Sequence, residues 1–110
     1  MPITFQDFEN VGLRVGKIIR VEDFPNARKP AYRLWIDFGP ELGVKKSSAQ
    51  LTAKYSKESL FNRVVVCVTN FPPKQVADFV SEVLVLGVET PEGVVLLNVG
   101  ESVALGSKIS

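Results

Sequence analysis

Strict alternation of apolar and polar residues marks positions 32–38, where Tyr32, Leu34, Ile36 and Phe38 share one face and Arg33, Trp35 and Asp37 the other. That is the period of a half-buried β-strand. The preceding run LRVGKIIRVEDFP alternates over a longer distance and is interrupted at Gly16, which predicts a long strand bulged or bent there so that it serves two parts of a curled sheet. VKKSSAQL, residues 44–51, has the length of a third strand but offers hydrogen-bonding groups and charge instead of core material, so it reads as a strand that presents a surface. VVVCV, residues 64–68, is uninterrupted and β-branched, the composition of a strand buried on both faces. SEVLVLG, residues 81–87, reads as a further strand, with Thr90-Pro91-Glu92-Gly93 as a turn and 94–97 as its hairpin partner.

Helical signals are few. Thr4 ahead of Gln6, Asp7 and Glu9 has the make-up of an N-cap and an acidic first turn, with Phe5 and Phe8 as its apolar face. After Thr52, the run AKYSKESLFNR fits a helix of about two or three turns, with Tyr55 and Leu60 inward and Lys54, Lys57 and Glu58 outward. Residues 25–30 and 39–43 are turns, and residues 70–74 are excluded from helix and ladder because Pro72 and Pro73 remove consecutive donors. Short strands and a bent first strand fit an SH3-like barrel as well as one of OB type; the helix between the third and fourth favours OB, which predicts an all-β fold, a five-stranded Greek-key barrel of OB type with short helices and N- and C-terminal extensions. With 110 residues the chain forms one domain, 1–110.

Composition narrows the chemistry. No histidine is present and only one cysteine, which removes imidazole and thiolate metal cages and every His-dependent triad. The chain therefore reads as a non-enzyme without metal or cofactor. Cys67, inside VVVCV, reads as a buried, inert hydrophobe. No apolar run is long enough to cross a bilayer and no signal-peptide pattern is found, so the reading is cytoplasmic, without membrane insertion. The net charge of +1 conceals an asymmetry: residues 14–74 hold 12 Lys/Arg against 5 Asp/Glu, and the remainder 1 against 7. That is the footprint of a polyanion binder, or of solvated strand faces that carry lysines.

Two ligand classes fit the candidate residues. Arg28, Lys29, Arg33, Lys45 and Lys46 would follow a phosphate backbone, with Trp35 or Phe71 stacking on bases. Phe71, Phe79 and Trp35, set between polar residues, would equally accept an extended apolar polypeptide. Trp35 has two further readings, an interface anchor and a cross-strand partner. Ser47, Ser48, Gln50, Asn70, Ser81 and Glu82 supply hydrogen-bonding groups to such a groove, or else satisfy local turns and ladders. Val65, Cys67 and Val85, on strand faces that one small barrel leaves uncovered, and the apolar Val103-Ala104-Leu105 predict a homodimer.

DFENVGLRVGKI, DFPNARKPAYRLWIDFG, GVKKSSAQL and VVVCVTNFPPKQVADFVSEVLVLG resemble the tRNA-binding-domain superfamily and, within it, the CsaA-like branch of export-related chaperones. The likeness runs over about residues 7–109, and is most specific where residues 45–50 combine with Asn70-Phe71-Pro72-Pro73 and Ser81-Glu82. Members appended to some aminoacyl-tRNA synthetases carry Ser-x-Gly-Met at the last core strand; here Ser81-Glu82-Val83-Leu84 stands instead, which points to the CsaA-like branch. The resemblance implies an OB-fold homodimer whose termini help build the subunit contact. It implies a cytoplasmic protein acting on tRNA or on unfolded precursor polypeptides, the latter in connection with the secretion machinery.

Overall fold

In the computed structural model, which describes residues 1–110, the core is the interior of a nearly closed antiparallel barrel. The elements in chain order are α1 (Phe5–Glu9), β1 (Leu13–Asp23), β2 (Tyr32–Asp37), α2 (Gly39–Leu42), β3 (Val44–Ala49), α3 (Lys57–Leu60), β4 (Val64–Val68), β5 (Lys74–Val76), β6 (Phe79–Ser81), β7 (Leu84–Val85), β8 (Gly87–Thr90) and β9 (Gly93–Leu96). Five strands form one sheet in the order β3-β2-β1-β4-β7, and the β5-β6 and β8-β9 hairpins stand apart from it. This is the expected all-β, OB-like barrel. No helix is long and apolar enough to cross a membrane.

β1 serves two neighbours, as its length and alternation predict. Residues 13–17 pair with β4 and residues 17–23 with β2. The irregularity that permits this is a register shift between Ile18 and Arg20, not a bend at Gly16. Gly16 answers a different demand: a Cβ there would lie 2.6 Å from Ile36 and 2.7 Å from Phe38, so the glycine lets two core side chains press against β1. Beside Leu13 and Val15 the C-terminal segment fills the edge that β2 leaves. Val15 N–H donates to Ser107 O at 3.0 Å, Ile109 N–H to Leu13 O at 2.9 Å, and the Arg14 guanidinium to Gly106 O at 2.9 Å.

The alternation of β2 puts Tyr32, Leu34 and Ile36 inside, joined by Phe38, Ile18, Leu51, Leu60, Val65, Cys67, Val83 and Leu96. Val65 and Cys67 are fully enclosed by this one barrel and Val85 packs against its core, so the uncovered faces expected of them do not exist. Ser47 is the one polar residue buried in this interior, and its hydroxyl donates to Val83 O at 2.9 Å. That bond belongs to the seam closing the barrel between β3 and residues 81–83. Glu82 N–H and Val83 N–H both donate to Lys46 O, at 2.8 and 3.3 Å. Lys46 N–H donates to the Glu82 carboxylate at 2.9 Å, and Ser48 N–H to Ser81 Oγ at 3.0 Å.

Four elements depart from the sequence pattern. The helix after Thr52 is the single turn α3, capped reciprocally by Ser56 and Ser59. Tyr55 is withheld from it because its carbonyl accepts from Tyr32 Oη at 2.8 Å while its own hydroxyl accepts from Leu96 N–H at 3.0 Å, which ties it to two strands. The run 81–87 is broken into the end of β6, β7 and the start of β8, since two successive N–H groups turned onto one carbonyl of Lys46 bend the chain at Glu82. Lys74, assigned to the proline hinge, instead opens β5: the missing donors end at Pro73, and Lys74 pairs with Ser81. The turn at 39–43 closes as the short helix α2, entered through Gly39 at φ +85°, where a Cβ would lie 2.6 Å from Leu105 O.

Two stability predictions follow from this core. Burial pushes the Cys67 thiol from its ordinary 9.0 up to about 12. A raised thiol pKa stabilises the fold fully below the unfolded value and loses that contribution as pH climbs from about 9 to about 12, a decline of about 4 kcal/mol. Urea titrations across that range should show the extra decline in the wild type and not in Cys67→Ala. Ser47→Ala should cost about 1–3 kcal/mol in the same assay at neutral pH, because it strands a buried carbonyl acceptor at the seam.

Candidate functional site

Two connections rise together at one end of the barrel: the β1–β2 loop, residues 24–31, and the excursion between β4 and β7, residues 69–83. In an OB barrel these loops and the outer face of the neighbouring strands carry the ligand. The excursion does not stand free. Its β5-β6 hairpin, turned at Ala77 with φ +52°, folds back over the outer face of β1–β3. Phe79 buries itself there against Phe24 and Ala31, with Ala27, Trp35 and Val76 packed around them, and forms a second small core outside the barrel.

The charged residues of β1–β3 line this outer core. Phe79 meets Phe24 edge-on at 5.6 Å and Trp35 at 5.7 Å. Cross-strand register places Arg20 and Lys46 opposite Trp35 on either side. The Arg20 guanidinium lies 4.5 Å from the Trp35 ring centre, and the Lys46 ammonium 5.2 Å from that of Phe79. Arg33 lies 5.4 Å from the Phe24 ring centre and pairs with Glu22 at 3.3 Å. Trp35 thus takes the cross-strand role among its three readings, and Asn26 Nδ2, donating to Asp78 at 3.0 Å, ties the first loop to the hairpin.

Between the two connections lies an open groove of about 1250 Å³. Of the candidate residues it brings together Arg28, Lys29, Ser48, Gln50, Phe71, Ser81 and Glu82. Trp35, Arg33, Lys46 and Phe79 form the layer beneath the hairpin instead. Ser47 belongs to the interior seam. Lys45, opposite Ile36 and so on the other strand face from Lys46, is half-buried away from the groove. Asn70 staples the N-terminal segment, its Oδ1 accepting from Gly12 N–H at 2.8 Å and its Nδ2 donating to Asn10 O at 2.8 Å.

Groove residues that sequence reasoning missed include Pro72, Lys74, Gln75, Val76 and Leu84. The sequence carried little signal for them: the hairpin turns through Ala77-Asp78, without the Asn-Gly, Asp-Gly or Gly-first pair that marks a two-residue turn, and Ala77 takes φ +52° only in the folded chain. Arg28, Lys29 and Lys74 make no ion pair, whereas the Glu82 carboxylate is engaged by Lys46 N–H. The groove is therefore cationic along its edges. It is also apolar in part: Phe71 is 55% and Leu84 47% exposed.

Comparison with known proteins agrees with this architecture. The model of the family described as "Putative tRNA binding domain" matches residues 13–108. The CsaA chaperone protein of Picrophilus torridus is similar at 50% identity, with a TM-score of 0.94 over 99% of this chain and 100% of that one. Chaperone CsaA of Bacillus anthracis str. Ames is likewise 50% identical, with a TM-score of 0.92 and full coverage of both chains. The methionine–tRNA ligase of Thermococcus onnurineus (strain NA1) is 40% identical over 107 residues, 97% of this chain, which spans only 14% of that enzyme's length.

The groove wall depends on the outer core, so Phe79→Ala should free the hairpin while the barrel stays closed. Limited proteolysis should then cut within residues 70–80 much faster than in the wild type, with the near-ultraviolet signal of Trp35 lost and the far-ultraviolet strand signal kept.

Proposed function

The chain belongs to the tRNA-binding-domain family, with the OB-type barrel of the CsaA chaperone proteins, and from that membership we propose that its groove holds extended stretches of unfolded polypeptide. The observation that carries this reading is the exposure of Phe71 and Leu84 beside Pro72 and Val76, within a groove whose other residues are hydrogen-bonding side chains such as Ser48, Gln50 and Gln75. Exposed large apolar side chains concentrated in a concave site are a place where another apolar surface is to be covered. Binding of this kind keeps a precursor unfolded without changing its bonds, so the protein acts as a chaperone and not as a catalyst. In this reading it serves precursors in the cytoplasm ahead of the secretion machinery. It works as a homodimer, with exposed Ile3, Phe5 and Val103 supplying apolar surface for the subunit contact.

A second reading has its own observation. Arg28, Lys29 and Lys74 are without acidic partners around the same groove, and Phe71 offers a ring on which a base can stack, which favours tRNA. The likeness to part of a methionine–tRNA ligase supports it.

Titrating the protein with reduced, carboxymethylated lactalbumin, a permanently unfolded polypeptide, and with bulk tRNA separates the two. Phe71→Ala should weaken the polypeptide by roughly 5–30-fold, about 1–2 kcal/mol, and leave the salt dependence of tRNA binding unchanged. Each of Arg28→Ala, Lys29→Ala and Lys74→Ala should lower the salt slope for tRNA by about 0.7–0.9 if that cation meets a phosphate. Undiminished lactalbumin binding by both Phe71→Ala and Leu84→Ser would remove the groove from the proposal.

A further inference from the structure

The groove holds main-chain groups that nothing in the chain bonds. Along β3 the peptide groups alternate in direction: Lys45, Ser47 and Ala49 turn theirs toward β2, whereas Lys46, Ser48 and Gln50 turn theirs toward the closing segment. Both groups of Lys46 are taken there, and Ser48 N–H donates to Ser81 Oγ. The next two, the Ser48 carbonyl and the Gln50 N–H, have no partner within the protein, and both residues line the groove.

A second unpaired edge stands in the same groove. The β5-β6 hairpin pairs Lys74 with Ser81, Gln75 with Val80 and Val76 with Phe79. A two-residue turn makes the Val76–Phe79 pair a bonded one, so the alternation directs the N–H and C=O of Gln75 away from β6. Those groups also meet no partner, and Gln75 uses only its side chain, on Ala77 O.

An acceptor followed by a donor on one strand edge is the slot to which another extended backbone bonds. Resting on the reading of this groove as a polypeptide site, we propose that the polypeptide is held as an added strand. Its main chain bonds the Ser48 carbonyl and the Gln50 N–H. The segment it selects carries carboxylates, since Arg28, Lys29 and Lys74 offer three cations without partners while Glu82 is already engaged. Recognition through the backbone is tolerant of sequence, which is what a binder of diverse unfolded chains requires.

Gln50 permits a direct test. Leu51 N–H donates to Ala49 O at 3.0 Å, which makes Gln50 the centre of an inverse γ-turn. The φ of about −75° that such a turn needs is the one proline imposes. Gln50→Pro therefore deletes the free donor, and Gln50→Ala keeps it. Both variants lose the Gln50 side chain and only one loses the backbone donor, so fluorescence anisotropy with labelled, reduced and carboxymethylated lactalbumin should show Gln50→Pro binding roughly tenfold more weakly than Gln50→Ala, with tRNA binding equal in both. On the wild type, an acidic nonapeptide that competes with lactalbumin should lose affinity when N-methylated at every second residue within its bound stretch and not at the residues between. This second measurement decides alone if Gln50→Pro does not fold. Equal binding by both variants, a flat N-methylation profile, or a nonapeptide that fails to compete overturns the added strand while leaving the polypeptide reading intact. A wild type that binds tRNA but not lactalbumin overturns both.

Discussion

The peptide groups of Lys46 are where the barrel becomes a closed object. Its carbonyl accepts from Glu82 and Val83 and its N–H donates to the Glu82 carboxylate, so a single residue of β3 carries most of the join to the last core segment. An ordinary ladder would have continued to Ser48 and Gln50. Instead, side chains of Ser47, Ser81 and Glu82 finish the seam over a short distance, and the strands then part. The interior on one side of that point is sealed against water; on the other side the groove begins.

The seam also explains why the hairpin lies where it does. Once the chain is held at Glu82, the preceding strand β6 must run along the outside of β3, and Phe79 is delivered onto the outer face of the sheet. The aromatic residues Phe24, Trp35 and Phe79 then form a core of their own, roofed by the cations of neighbouring strands. Residues whose type suggests ligand contact thereby hold the groove wall in place. Arg33, Trp35, Lys46 and Phe79 shape the site from beneath, and Arg28, Lys29, Phe71 and Lys74 face whatever enters it.

The two proposed cargoes use different parts of one surface. Polyanion binding draws on long-range charge and needs only the exposed cations of the loops, whereas an extended polypeptide also needs apolar exposure and unpaired backbone. The groove provides all three in proximity. That combination follows from a seam that ends at Ser48: beyond its bond to Ser81 Oγ the hairpin pairs with itself and not with β3, which leaves the strand edge open beside the proline turn.

Much of the barrel was legible in the sequence because burial in a sheet imposes a period of two. The alternation of residues 32–38, the unbroken apolar run of β4 and the N-cap at Thr4 each express a local rule, and each appears where the pattern placed it. The choice of side-chain face for Lys45 and Lys46 is equally local, since consecutive strand residues point opposite ways. What only the tertiary structure decided concerns competition between partners distant along the chain. Residues 81–87 have the pattern of one strand, but two of their N–H groups find Lys46 O and the strand breaks. Tyr55 has helical neighbours, but Tyr32 and Leu96 claim its polar atoms. Trp35 and Phe79 have the same chemistry whether they face a ligand or each other, and the fold of the hairpin brings their rings together. Periodicity records which face of a strand meets water; which hydrogen bonds and aromatic contacts win is set only when the chain closes on itself.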